Sequence, residues 1–301
     1  MACSRPELVL NYVSITSIVE MDETNSQQGG ISTAESKSGA QGQIAPEITA
    51  KQTLEGQLRL INPTGFLGFL KLLRQFSQEL VMKFDDHSIR VRILDPSEVK
   101  MVDAILMANV SPSLFRRSAC LRIEELIRCF PKLSGKANQL DFEIQIAPER
   151  ASFNVGEASF SVRRLEDPKS GDLPVPNVRF SSNFDMRLRT VIQAIDEMKE
   201  LSDRVELSFS THAILPCLLV SVSAKSLEKS VIVPIKRARI NLSDRCKYDL
   251  KGLLGYLSSL RPLSAEVRMN FGRQLPIHIS AINPSPPIEN IDYYQAPLAE
   301  V

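Results

Sequence analysis

The feature that most constrains this chain is a repeat of pattern without a repeat of letters. From Leu54 onward two stretches each read strand, helix, strands, helix, strands, with matching elements roughly 125 residues apart. In the first, Leu54 to Leu60 alternates apolar and polar residues, the two-residue period of a half-buried strand. Asn62, Pro63 and Thr64 then open a helix. Its Phe66, Leu70, Leu73 and Phe76 share one face, opposite Lys71, Arg74, Gln75 and Gln78. Strands are expected at 80–84, 89–94 and 99–108, the first two joined by a turn at 85–88. A helix from Ile123 to about Phe130 follows and is ended by Pro131, then strands at 140–146, 151–155 and 158–162. The second stretch predicts strands at 178–182, 205–210, 215–223, 230–235, 238–242, 265–271 and 276–282, with helices at about 186–201 and 248–260. A one-sided helix and a one-sided sheet each need the other as cover. The expected class is therefore α+β: two similar domains of mostly antiparallel sheet, each carrying two helices on one face.

The domain plan is an N-terminal extension at 1–53, a first domain at 54–162, a Pro-rich connector at 163–178 and a second domain at 179–301. Residues 22–43 are Ser, Gln, Gly, Thr and Glu with almost no large apolar side chain, so they cannot repay the entropy of ordering and read as disordered. The extension sums to a charge of −3, and Met21 is an alternative start. Residues 7–21 hold Asn11, Ser14, Thr16, Ser17 and Glu20 behind a single cation, Arg5, which makes a signal-peptide reading weak. No 18-residue apolar run is present, so a membrane span is not expected. Five cysteines without a Cys-x-x-Cys pair read as reduced thiols in an intracellular compartment.

Catalytic constellations do not emerge. His87, His212 and His278 are scattered without ligand-spaced neighbours, so no metal or cofactor is expected. Asp85-Asp86-His87 reads as a solvated hairpin tip, and Cys120 and Cys129 as buried structural thiols. No Gly-rich phosphate loop, Gly-x-Ser-x-Gly elbow or His-Glu-x-x-His occurs, and the pairs Glu124-Glu125 and Asp196-Glu197 sit beside cations on helices. The sequence does not recommend an enzyme.

Charge distribution says more than charge. The net charge is +1, too small to grip nucleic acid by bulk electrostatics. The four helical windows 66–80, 121–136, 187–201 and 247–261 nevertheless carry +1, +2, 0 and +2, leaving −4 for the rest. If all four line one surface, that surface is basic on an otherwise acidic protein.

Several segments resemble one family. Leu54-Glu55-Gly56-Gln57-Leu58 is similar to the first strand of the archaeal and eukaryotic DNA polymerase sliding clamps, the proliferating cell nuclear antigen family. Residues Leu94-Asp95-Pro96-Ser97-Glu98-Val99 resemble its Met-Asp-Ser-Ser-His-Val segment, and Pro262-Leu263-Ser264-Ala265 the turn after its last helix. Tyr293-Tyr294-Gln295-Ala296-Pro297 is similar to its Tyr-Tyr-Leu-Ala-Pro tail. The resemblance covers about 54–301.

That resemblance implies the DNA clamp fold in a ring of three subunits, helices lining a hole around double-stranded DNA. Contacts to the duplex would be loose and independent of base sequence. The implied DNA-facing cations are Lys71, Arg74, Arg122, Arg128, Lys132, Lys199 and Lys251. Partners (DNA polymerase, clamp loader, ligase and flap nuclease) would insert a peptide carrying a glutamine and an apolar-aromatic plug. Its pocket is implied at Leu94, Glu98, Val99, Leu173, Val175, Pro276, Tyr294, Ala296 and Pro297. Glu98 stands where the family has a histidine, and Ala299 where a larger aliphatic is common. Subunits would join through edge strands at Ala151, Phe153 and Val155 and at Val231 and Val233, in a homotrimer or a heterotrimer. The implied setting is intracellular: cytoplasm or nucleoid for an archaeal source, which is favoured, and nucleus for a eukaryotic one. A paralogue in a hetero-oligomeric, checkpoint-type ring is the alternative, and an enzyme with an unrecognised site the rival from another class.

Overall fold

A computed structural model describes residues 54–130, 141–166, 173–180, 182–210, 216–224, 227–239 and 245–298. The N-terminal extension, Lys132, His212 and Ala299 lie outside them, and residues 49–301 form one compact unit.

The first half runs β1 (Gly56–Ile61), α1 (Pro63–Leu73), β2 (Glu79–Phe84), β3 (Ser88–Leu94), β4 (Lys100–Met107), β5 (Asn109–Val110), a 3-10 turn (Pro112–Leu114), β6 (Ser118–Arg122), α2 (Ile123–Cys129), β7 (Asp141–Ile146), β8 (Arg150–Val155) and β9 (Ala158–Leu165). The second runs β10 (Ser182–Arg187), α3 (Leu188–Asp196), β11 (Arg204–Ser210), β12 (Cys217–Ala224), β13 (Leu227–Pro234), β14 (Arg237–Arg239), β15 (Arg245–Asp249), α4 (Leu250–Leu260), β16 (Glu266–Phe271), β17 (Ile277–Ile282) and β18 (Ile288–Gln295). Helices α1 and α3 start 125 residues apart, α2 and α4 127. The expected repeat of pattern is present.

Local chemistry explains the helix starts. Asn62 accepts from the Gly65 N–H at 3.0 Å and Pro63 takes the first helical turn, where a missing N–H costs nothing. Asp249 caps α4 by accepting from the Gly252 N–H at 2.9 Å. Each helix then buries one stripe: Phe66, Phe69, Leu70 and Leu73 on α1, and Leu253, Tyr256, Leu257 and Leu260 on α4, all fully buried. Several expectations need correction. The strand expected at 178–182 is instead Ser182–Arg187, so Met186 belongs to β10 and α3 begins only at Leu188. Strands β6, β15 and β18 were not expected at all. Cys129 is exposed rather than buried, whereas Cys120 is buried.

All strand pairs are antiparallel. Among the described residues one sheet runs β14-β10-β16-β17-β18-β4-β3-β2-β6-β9-β8-β7-β1-β5, and a second β13-β12-β11-β15. The larger sheet crosses from one half to the other at β18 and β4. Alternation across that crossing sorts the faces. The row Phe184, Met269, Ile279, Tyr293, Val102 and Ile93 faces the helices and is almost completely buried. The next row, Asn270, His278, Tyr294, Met101 and Leu94, faces away from them. The helices pack in the order α2–α1–α4–α3, so four elements from both halves cover one side.

The halves are fastened where α1 meets α4. Asn62 Nδ2 donates to the Pro286 carbonyl at 2.7 Å, Gln75 Nε2 donates to Ser259 Oγ, and Lys100 Nζ lies 2.8 Å from the Asp249 carboxylate. A Cβ on Gly65 would sit 2.1 Å from the Pro286 oxygen, so the close approach needs glycine there. Tyr256 and Tyr293 stack at 4.2 Å, with Phe76 against both.

Candidate nucleic-acid face, peptide pocket and assembly edges

Three surfaces follow from this layout. The first is the row of helices. Lys71, Arg74, Arg122, Arg128, Lys199 and Lys251 are all exposed, on α1, at the start and end of α2, beyond α3, and on α4. Their electrostatics differ. Glu124 takes both Arg74 and Arg128 at 3.4 Å, and Arg122 lies 3.9 Å from Glu125. Lys199 donates to Asp196 at 2.8 Å, a bond that, with the Asp196 charge, raises its ammonium above the ordinary lysine value. Among the described residues Lys71 and Lys251, on the two central helices, form no ion pair. Arg189 of α3, absent from the implied set, is likewise exposed and without an ion pair among those residues. Its charge was hidden by Asp196, Glu197 and Glu200 in the same window. The positive character thus lies on the two central helices and, through Arg189, on α3, and is muted at the α2 flank by Glu124 and Glu125.

The second surface lies outside the crossing of the halves. Residues 95–98 turn the chain from β3 into β4, and Asp95 organises the turn. Its Oδ1 accepts from the N–H groups of Val99 (2.9 Å) and Lys100 (2.7 Å), and Ser97 Oγ donates to Oδ2. Glu98 adopts a left-handed φ of 58°, which an L residue tolerates only because the turn fixes it. Val99 is left exposed, and its carbonyl accepts from the Ala296 N–H at 2.8 Å. Leu94 and Tyr294 flank the buried Met101 in register. The described connector residues reach the same place: Arg92 Nη1 donates to the Leu173 carbonyl while its Nε and Nη2 hold Asp103 at 3.2 and 3.1 Å. Leu94, Leu173, Val175, Pro276, Tyr294, Ala296 and Pro297 are all half-buried. Burial, followed by the charges of Asp292 and Asp103, pushes the Tyr294 phenol up to about 12, so it stays a neutral donor. Met101, Arg92 and Asp103 are part of this surface although the sequence did not single them out; only the strand register reveals them.

The third surface is a pair of strand edges. β8 lies between β7 and β9, and Ala151, Phe153 and Val155 are core residues, at most 2% exposed. The expected edge at 151–155 is therefore corrected to β9, which meets β6 only at Arg164 and Leu165. Alternation looks the same on an inner and an outer strand, which is why the two were confused. β13 pairs only with β12 among the described residues, leaving its other side open; Val233 is buried, Val231 half-buried and Ile232 67% exposed.

No three His, Cys, Asp or Glu side chains gather as a metal site among the described residues, and no described helix is long and apolar enough to cross a membrane. No family model and no curated protein matches the sequence. Solved structures do match. The proliferating cellular nuclear antigen of Entamoeba histolytica is similar over 82% of this chain and its own full length, at a TM-score of 0.71 and 12% identity. The PCNA2–PCNA3 complex of Sulfolobus tokodaii matches over 81% of this chain and 100% of its own, at 0.67 and 16%. A. fulgidus PCNA bound to the C-terminal region of FEN-1 matches over 82% and 99%, at 0.68 and 11%. The chain thus has the fold of the proliferating cell nuclear antigen structures, an architecture of antiparallel sheets backed by four helices.

Proposed function

We propose that this chain is a subunit of a sliding clamp: a ring around double-stranded DNA that tethers replication and repair enzymes and does no chemistry itself. The observation that carries the reading is an unpaired duplicate of an internal junction. Matching the halves element by element, β9 corresponds to β18 and β13 to β4. Inside the chain β18 pairs with β4, from Ile288 opposite Leu106 to Gln295 opposite Lys100. The corresponding partners, β9 and β13, each leave one side without a partner strand over most of their length among the described residues, β9 meeting β6 only at Arg164 and Leu165. Carried over in register, Phe160 takes the place of Tyr293 and Val231 that of Ala104. Both are half-buried where their counterparts are fully buried, so a neighbouring copy completes them. Such a contact is head-to-tail, and head-to-tail contacts that close make rings.

A ring of this kind sets the helices on the inside. There Lys71, Lys251, Arg74 and their neighbours meet phosphates loosely, which suits a body that must move along the duplex. The outer pocket between Leu94, Tyr294 and the connector suits an apolar-aromatic peptide plug, the route by which polymerase, ligase, flap nuclease and loader would be held. Three copies close the ring by analogy with the fold. Because both open edges belong to one chain, a homotrimer is self-sufficient; a heteromeric ring, checkpoint-type or otherwise, is the second reading, in keeping with the PCNA2–PCNA3 complex among the matched structures. The working place is then wherever chromosomal DNA lies, nucleoid or nucleus.

Light scattering on the purified chain tests this. A stable mass of about three times 33.6 kDa supports the homomeric clamp, and a monomer that assembles only with paralogues supports the second reading. A particle with no central opening ends both.

A further inference from the structure

Residues 173–180, the end of the connector and the stretch just past it, are held against the outer sheet at two points. One is the Arg92 hydrogen bond to the Leu173 carbonyl. The other is an aromatic row: Phe180 stacks on His278 at 5.8 Å and 20°, and His278 stacks on Tyr294 at 4.5 Å and 12°. His278 is thus the contact through which the end of this stretch, at Phe180, touches the tyrosine of the peptide pocket. The ring is itself fixed from three strands. Asn270 Nδ2 on β16 lies 2.9 Å from Nδ1, and Asp292 Oδ1 on β18 lies 2.8 Å from Nε2. Ser280 on β17 donates to the same Asp292 oxygen, and Asn290 donates to the other at 2.5 Å.

We propose that His278 is a positioning residue of the peptide pocket: it clamps Phe180, two residues past the connector, beside Tyr294, and taking up a proton tightens that clamp. With the Asn270 amine facing Nδ1, the hydrogen bonds are satisfied by the neutral ring with its proton on Nε2, a tautomer assigned from its partners. A proton from solvent adds to Nδ1. The Asn270 amide must then turn to offer its oxygen, a flip between two nearly equal shapes. In return a full positive charge sits 2.8 Å from Asp292 and against two aromatic faces. The other charged groups nearby are already engaged: Asp103, opposite Asp292 across the β18–β4 pair, with Arg92, and Asp185 with Arg268 along the sheet. Burial pushes the Asp292 carboxyl up, but the His278 and Ser280 hydrogen bonds, the His278 charge and Asn290 outweigh it and hold it below its ordinary value. Asp292 therefore stays an anion across the range in which an imidazole changes charge. Only the consequence for peptide binding rests on the clamp reading given above.

The chain contains no tryptophan, so Phe180→Trp in the full-length protein provides a single reporter stacked on His278. An imidazolium quenches a stacked indole. Emission is expected to fall in one single-proton step on acidification. The step should vanish in the Phe180→Trp, His278→Gln double variant and move to lower pH with Asp292→Asn, which serves if the histidine variant fails to fold. Emission independent of pH, or an unchanged step in the double variant, overturns the proposal. In parallel, a rhodamine-labelled synthetic peptide carrying a glutamine and an apolar-aromatic plug should bind roughly two- to five-fold tighter at about pH 5.5 than at about pH 7.5, the size of one partly desolvated cation–π contact. Peptide binding that is flat with pH beside an intact emission step overturns the coupling to the pocket. No peptide binding at any pH beside that step supports the clamp of the connector and overturns the pocket reading alone.

Discussion

Two stacked tyrosines at the junction of the halves should respond to the same substitution in different ways. Tyr256 of α4 and Tyr293 of β18 lie 4.2 Å apart at 10°, both fully buried, and burial pushes both phenols well above the ordinary tyrosine value. The Tyr293 hydroxyl donates to Gln295 Oε1 at 2.6 Å, and Gln295 Nε2 donates to the Asp249 carbonyl at 3.0 Å. Gln295 is itself 1% exposed, so Tyr293→Phe leaves its oxygen buried and unpaired. That costs about 1–3 kcal/mol, or roughly 2–12 °C of melting temperature for a body of this size. The Tyr256 hydroxyl has no protein partner among the described residues. Tyr256→Phe keeps the stack and removes a desolvated polar group, so stability should stay within about 0.5 kcal/mol or rise by up to ~1 kcal/mol. Urea and thermal unfolding of both variants measure the difference. Equal losses would mean that a bound water completes Tyr256 and would refute the reasoning; a neutral Tyr293→Phe would refute it from the other side.

Further outcomes are expected at the three surfaces. Val231→Asp places a carboxylate where a second strand should close on β13; light scattering should show a 33.6 kDa monomer with unchanged far-ultraviolet circular dichroism. Reversing Lys71, Arg74 and Lys251 to Glu should abolish stimulation of a cognate polymerase without changing particle mass. The slope of log affinity against log salt should also flatten by about 0.9 for each phosphate no longer neutralised. Leu173→Ala with Val175→Ala should weaken the synthetic peptide roughly five- to thirty-fold, the removal of several buried methylenes, with no effect on assembly. Asp292 has a folded-state value below its unfolded one, so the stability it adds is present above pH ~4 and lost as pH falls through the folded value. Asp292→Asn should therefore lower the melting temperature near neutrality, and the gap to the unaltered chain should narrow in acid.

The sequence was most legible where one residue decides a local conformation. Asn62 and Pro63 mark the start of α1 because a cap and a ring-locked φ have few other uses in that order. It was least legible where a strand runs straight into a helix. β6 and β15 pass into α2 and α4 with no turn residue between, so the predicted helix at Tyr248 absorbed the end of β15. β18 alternates Ile288, Ile291 and Tyr293 with Asn290, Asp292 and Tyr294 across a register shift, which breaks the two-residue period. The cations of the helix face could be read one by one, but not that Glu124 holds two of them, since its bond to Arg74 joins residues fifty positions apart in the chain. Of the proposed pocket, Tyr294 and Val99 were offered by the sequence, whereas Arg92, Met101 and His278 come beside them only through the strand register.

On the clamp reading, the repeat also says where the ring opens. The junction inside the chain and the junction between chains use equivalent strands, yet only the first is reinforced. β18 and β4 are backed by the Tyr256, Tyr293 and Phe76 rings, by Lys100 on Asp249 and by Asn62 on Pro286. Between chains Phe160 replaces Tyr293 and carries no hydroxyl to tie to a glutamine, and Leu227 replaces Lys100, so the ionic fastening to the next helix cap is missing. The internal junction is part of the folded core and separates only when the chain unfolds. On this reading the external one would rest on the β9 and β13 edges and on half-buried Phe160 and Val231, so a loader would part it while the fold on either side stays intact.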